Sequence, residues 1–244
     1  MGLRTVIMLV MLSIFFVGIV KADLVFRENF EADQLDENVW GVAGPGVGGP
    51  DGGMISDKQA YGDTRSWWIG SNNGIYHIVD PPLKTCTVYV HFYDNADEAQ
   101  VNAQVVGCTN ETAEVDGWPI GAGSWMYIGI CTTGPNCMGY YYRSGTDGEI
   151  CVGDERETGW HLFAFVIDGG KLEVYVDGEN MEDCDMPELG NFVIFHAWAA
   201  DQFQREGGFV DDVYIFSNIM DPAEDPSLAV QPERKLAVTW GSIK

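Results

Sequence analysis

The chain has 244 residues, with 37 Asp or Glu against 13 Lys or Arg, for a formal charge of −24. So acidic a surface repels nucleic acid and anionic lipid, which excludes both as partners. It fits a neutral ligand, a divalent cation, or plain solubility, and the length suits one domain with a sizeable core.

Residues 1–22 open with Arg4, continue through an apolar run from Val6 to Val20, and close on Val20-Lys21-Ala22. This order of basic, apolar and small-residue segments predicts a secretory signal peptide. The run falls short of the ~20 residues that a spanning helix needs. The expectation is a secreted or cell-surface protein with no membrane span after cleavage. Cleavage after Ala22 leaves 222 residues (244 − 22). In an exported chain the six cysteines, Cys86, Cys108, Cys131, Cys137, Cys151 and Cys184, suggest disulfides. Cys131 and Cys137 flank the turn Thr132-Thr133-Gly134-Pro135-Asn136 and make the best local pair. Zinc is disfavoured, because there is no C-x-x-C pair and the histidines are scattered.

Leu24 to Phe30 alternates and reads as the first strand; Asp33 to Asn38 is an acidic loop, and Val42 to Gly53 a glycine-rich one without a phosphate-loop ending. Asp57 to Asn73 mixes polar and aromatic residues, as ligand rims do, and as sandwich ends do. Gly74 to Val79 and Thr85 to Tyr93 read as strands. In the second, Val88, Val90 and Phe92 face the core, and Thr87, Tyr89, His91 and Tyr93 form a polar-aromatic face. Such a face suits sugar, whose C–H faces stack on rings, and equally suits ordinary cross-strand packing. Gln100 to Cys108, Ser124 to Cys131 and Cys137 to Arg143 are further strands, and Asn110-Glu111-Thr112 is a glycosylation sequon. Asp147 to Glu157 and Glu179 to Glu188 read as acidic loops.

Between them lies Thr158 to Gly178, TGWHLFAFVIDGGKLEVYVDG: two alternating strands around Asp168-Gly169-Gly170. The turn residues tolerate the positive φ that tight hairpins need. The first strand is apolar on both faces and is expected to be buried on both. Gly190 to Trp198 and the segment from Gly207 to Phe216 complete the strands. Residues 221–244 form a Pro-rich acidic linker and a short apolar tail. The whole predicts one all-β domain over residues 23–220, a two-sheet antiparallel β-sandwich.

Three segments carry a resemblance: the W-H…D-G-G…V-D-G hairpin, GGFVDDVYIF from Gly207 to Phe216, and FRENFEADQLDENVW from Phe26 to Trp40. Together they resemble laminin-G-like domains of bacterial secreted type, within the concanavalin A-like lectin/glucanase superfamily. The resemblance implies a jelly-roll fold and non-catalytic binding of an extracellular polysaccharide or glycoconjugate. Tyr89, His91, Trp125, His196 and Trp198 are the candidate ligand-binding residues. It also implies a structural calcium ion. Adjacent first and last strands would bring Glu28 near Asp211 and Asp212, although strict alternation lets only one of the two aspartates face inward.

The alternative reading is an adhesion or structural module that contacts other surface proteins. A third is a divergent polysaccharide-degrading enzyme. Laminarinase-type relatives of the superfamily carry E-[IL]-D-x-x-E on a strand. Here Asp154-Glu155-Arg156-Glu157 and Glu182-Asp183-Cys184-Asp185 lack that spacing, and no nucleophile elbow or zinc-protease motif occurs. The chain is therefore expected not to be an enzyme.

Overall fold

A computed structural model of the chain describes residues 23–43, 53–69, 74–96, 103–109, 125–130, 139–144, 148–169, 171–185, 192–198 and 208–227. The elements among them are fifteen strands: β1 Leu24–Glu28, β2 Gly41–Ala43, β3 Met54–Ser56, β4 Ser66–Trp68, β5 Gly74–Leu83, β6 Thr85–Asp94, β7 Ala103–Thr109, β8 Trp125–Ile130, β9 Gly139–Ser144, β10 Gly148–Glu155, β11 Gly159–Asp168, β12 Lys171–Val176, β13 Glu179–Asp185, β14 Phe192–Trp198 and β15 Phe209–Phe216. They pair antiparallel into two sheets. The first runs β13-β12-β11-β6-β15-β4-β3, with β1 also on β15; the second runs β10-β9-β8-β7-β14-β5-β2. The protein is an all-β sandwich, as the alternating pattern predicts.

One apolar core lies between the sheets. Val88, Val90, Phe92, Phe163, Phe165 and Val213 enter it from the first sheet, and Ile75, Val106, Cys108 and Tyr140 from the second. The alternation read from β6 is therefore the one observed. A second, smaller cluster of Tyr89, Ala164, Tyr214 and Phe216 covers the outer face of the first sheet. This explains why β11 is apolar on both sides.

The hairpin motif has a physical basis. Asp168 pairs with Lys171, and Gly169 takes φ +56° in the turn. At the far end Asp177, at φ +52°, points its carboxylate back along β11. It accepts hydrogen bonds from the Leu162 amide (2.8 Å) and from His161 Nδ1 (2.7 Å), and His161 Nε2 donates to the Glu157 carbonyl (2.9 Å). Two acceptors require a proton on both ring nitrogens, so His161 is an imidazolium. Burial opposes the charge, but Asp177 and the Glu157 carbonyl outweigh it and raise the His161 pKa.

A raised folded-state pKa gives stability that is complete below the ordinary histidine value and lost as pH climbs through the folded value. Asp177 is half exposed, so the pair contributes about 1 kcal/mol. His161→Gln should therefore flatten the decline in stability from neutral to alkaline pH, read by urea unfolding at several pH values. An unchanged pH profile would show that the pair carries no stability.

Two acidic stretches expected to be loops are strands, β10 and β13. Both lie at the ends of their sheets, where one side of a strand meets water and charge is tolerated. Of the cysteines, Cys86 and Cys108 are free thiols in the core, so the expectation of pairing does not hold for them. Burial pushes the Cys86 thiol up to about 12. Cys131 and Cys137, like residues 1–22, lie outside the described residues.

β1 and β15 lie side by side, as anticipated, with Glu28 opposite Val213. The chain then closes on its own beginning. The Ser217 amide donates to the Asp23 carbonyl (3.0 Å), and the Asp23 amide to Asn218 Oδ1 (3.2 Å). Beyond it, 217–227 forms a strap over the outer face of the first sheet. Thr87 Oγ1 donates to the Asn218 carbonyl (3.0 Å) and accepts from the Met220 amide (3.0 Å). Ala223 lies against Gly178, where an added Cβ would come within 2.7 Å of it. Residues 221–227, expected to begin a linker, thus pack on the sandwich.

Candidate functional site on the outer face of the first sheet

The site begins with a fault in β15. Its sequence FVDDVYIF should place Asp211 and Asp212 on opposite faces. Instead Asp211 sits opposite His91 and Tyr214 opposite Tyr89, so three steps along β15 (214 − 211) match two along β6 (91 − 89). The extra residue is a β-bulge, and Asp212 takes φ +44° to accommodate it. Val210 and Val213 still enter the core, and both carboxylates turn outward beneath the loop that precedes β4. The expectation that only one aspartate can face a given side is corrected by this bulge.

Each carboxylate has its own partners. Asp211 Oδ2 accepts from the Tyr61 amide (2.9 Å) and Oδ1 from the Asp212 amide (2.8 Å). Asp212 Oδ1 accepts from Arg27 Nη2 (3.3 Å) and the Tyr214 hydroxyl (3.2 Å). The Arg27 guanidinium also lies 5.3 Å from the Tyr214 ring centre, a cation–π contact. Burial raises the Asp211 pKa to about 7 despite the two amides, and raises that of Asp212 despite Arg27.

The loop carrying Tyr61 is pinned at both ends. Ser66 Oγ donates to the Gln59 carbonyl (2.5 Å), and Glu31 accepts from the Thr64 amide (2.8 Å), its hydroxyl (2.6 Å) and the Arg65 amide (2.7 Å). Held so, the Tyr61 ring stacks on His91 with centroids 3.5 Å apart and planes 15° apart. His91 is 2% exposed, and burial lowers its pKa to about 4, so it is neutral. Its Nδ1 has no hydrogen-bond partner.

Beside this stack an aromatic row crosses the sheet. Trp160 meets Tyr61 edge-on at 5.9 Å and Tyr93 at 5.5 Å; Tyr93 meets Phe209 at 6.1 Å. Trp68 stands opposite Phe209, and Met54 opposite Trp68. Tyr61 is 40% exposed and Met54 44%, while Trp160, Tyr93 and Trp68 are half-buried. At this end the outer face is aromatic, with Tyr61 and Met54 exposed and Phe209 buried. At the other end the strap covers it.

The residues singled out in the sequence are dispersed. Tyr89 is on the anticipated face but 1% exposed, its hydroxyl donating to the Asp221 carbonyl (2.7 Å); the strap removes it from the open surface. His91 lies beneath Tyr61. Trp125, His196 and Trp198 belong to the other sheet: Trp125 stands opposite Thr109, His196 opposite Tyr76 and Gly107, and Trp198 opposite Gly74. The five therefore do not form one site.

The metal trio is also divided. Glu28 Oε1 accepts from the amides of Asn29 (3.0 Å) and Phe30 (2.8 Å), and Oε2 from Trp40 Nε1 (3.0 Å), on the side of the main core. Asp211 and Asp212 lie on the outer face. Among the described residues no group of three or more His, Cys, Asp or Glu is arranged to hold a metal ion.

Tyr61 and Trp160 are the residues that sequence reasoning passed over. The signal for Trp160 was available, since β11 and β6 place it directly opposite Tyr93. Tyr61 lies in the polar-aromatic stretch from Asp57 to Asn73, which reads equally as a ligand rim or as a sandwich end; it reaches the sheet from a loop, so no strand alternation singles it out.

The fold defines a class, and comparison with solved structures gives the particulars. The sandwich is similar to domain 4 of AbnA, an extracellular arabinanase of glycoside hydrolase family 43 from Geobacillus stearothermophilus, solved in complex with arabinotriose. The TM-score is 0.55 at 16% identity, over 86% of this chain and 99% of that one. It is similar to the cellulose-induced protein Cip1 (TM-score 0.54, 13% identity, 79% and 97% of the two chains). It also resembles the binding domain of Paraclostridial Mosquitocidal Protein 1 (TM-score 0.54, 12% identity, 85% of this chain and 52% of that chain). No family model matches the chain, and no curated protein does.

Proposed function

We propose that this chain is an exported, non-catalytic carbohydrate-binding module whose ligand lies across Tyr61, Trp160 and Tyr93. The observation that carries this reading is the aromatic row of Trp160 and Tyr93 beside the Tyr61–His91 stack, with Tyr61 exposed. Pyranose and furanose rings present C–H faces that stack on such side chains, and carboxylates nearby can accept from sugar hydroxyls. Support also comes from the fold, which in the arabinanase domain was solved with arabinotriose.

Affinity electrophoresis against soluble arabinan, glucan, chitosan and pectin tests the reading. The wild-type protein should be retarded by at least one of them, and Trp160→Ala should weaken that binding about tenfold or more. A folded protein that no glycan retards would overturn it and favour protein–protein adhesion instead.

A further inference from the structure

We infer that the Tyr61 face takes the terminal unit of a soluble glycan, and neither the interior of a long chain nor the flat surface of a crystalline polymer; this rests on the carbohydrate-binding reading above. Strand register alone suggests the opposite. Trp160, Tyr93, Phe209, Trp68 and Met54 stand opposite one another on β11, β6, β15, β4 and β3. That is a line of large side chains about 19 Å long, at one strand spacing per step. An extended chain would need such a line.

Burial breaks it. Phe209, in the middle of the line, is 1% exposed, so a ligand cannot run on its ring from Tyr93 to Trp68. Towards the strap the aromatic surface ends as well, because Tyr89, two residues before His91 on β6, is 1% exposed and bonded to the Asp221 carbonyl. What remains is Tyr61, with Trp160 and Tyr93 half-buried beside it.

Tilt breaks the line independently. Tyr61 lies within 15° of the His91 plane, so one of its faces is taken and its orientation is fixed. Trp160 is inclined 68° to Tyr61 and 64° to Tyr93, and Phe209 is inclined 74° to Tyr93. A crystalline surface is flat and needs rings in one plane. Rings at these angles form a corner. A sugar that lies on Tyr61 meets Trp160 with its rim. Glycosidic bonds leave from the rim, so the chain can continue only on the side away from Trp160, and the unit in the corner is the last one.

The polar tips of the rings agree. On the same outer face Tyr89, Tyr214 and Tyr175 spend their hydroxyls on Asp221, Asp212 and Glu173. Nothing among the described residues holds the Tyr61 or Tyr93 hydroxyl or the Trp160 indole N–H. A terminal sugar has one more free rim hydroxyl than an internal one, and these three groups can bond hydroxyls around it.

The test is calorimetric titration of the full-length chain with arabinan, β-glucan, chitosan and pectin, each intact and after partial hydrolysis, at equal mass. For a glycan that binds, sites per gram should rise in proportion to chain ends, and its hexamer should bind within about twofold of its dimer. Microcrystalline cellulose should not sediment the protein. Sites per gram unchanged by hydrolysis, or an affinity that climbs about tenfold or more from dimer to hexamer, would overturn the inference and leave the carbohydrate reading standing. So would sedimentation with the crystalline polymer. No heat and no retardation with any of the four glycans would remove both.

Discussion

Asp94→Ala is expected to lower the free energy of unfolding by about 3–5 kcal/mol. Asp94 ends β6 in the first sheet, and its carboxylate is wholly buried. Arg156, 5% exposed, grips it at two points: Nε to Oδ2 at 2.8 Å and Nη2 to Oδ1 at 2.5 Å. Tyr140 of the second sheet donates to Oδ2 (3.1 Å), and the Ala96 amide to Oδ1 (2.8 Å). One carboxylate thus ties the two sheets together at the end near His161. Removing it takes a two-point carboxylate partner from a guanidinium that water barely reaches. The double variant Asp94→Leu/Arg156→Met should recover much of the loss, because an apolar pair need not be solvated. Urea unfolding of the three proteins decides it. A loss below about 1 kcal/mol for Asp94→Ala would mean that water replaces the carboxylate freely.

Trp40→Ala should cost a similar amount, about 3–5 kcal/mol. The indole is 2% exposed and packs between Phe26 (5.5 Å), Phe30 (5.7 Å) and His77 (5.9 Å). It also donates to Glu28, whose other oxygen caps the turn after β1. Trp40→Phe separates the two contributions. It keeps most of the apolar volume, loses the indole N–H, and should cost about 1–2 kcal/mol. Equal losses in thermal unfolding for the alanine and phenylalanine variants would assign the whole effect to the hydrogen bond and none to the cavity.

Glu28 and Trp40 also show what was legible in the sequence. The acidic strand leading to a tryptophan was visible as a pattern; its reason, a carboxylate receiving an indole N–H and two amides, needed coordinates. The central hairpin was readable in full, because turn chemistry and period-two alternation agree there. The faces of β6 followed for the same reason. Acidic composition alone suggests loops at β10 and β13, but both are end strands, and a sheet edge tolerates charge.

The bulge at Asp212 could not be foreseen, since alternation has no place for an inserted residue. That one residue decides where both carboxylates go. The strap is held largely through backbone groups of Asn218, Met220 and Asp221. Every sequence has these, so composition is silent about it. Tyr61 is set on His91 by a loop whose anchors, Glu31 and Asp211, lie far away in the chain.

The meeting of Asp23 with Ser217 has a mechanical consequence. Because β1 and β15 are antiparallel and their outer ends coincide, a force pulling the two ends of the sandwich apart loads their ladder one rung at a time, as a zipper opens, rather than all rungs together in shear. Tension on the downstream end reaches the strap first, peeling Asp221 and then Met220 from the sheet before β1 yields. A load borne through the two ends of the sandwich would thus uncover Thr87 and Tyr89 on the outer face early, while the core between the sheets is still intact.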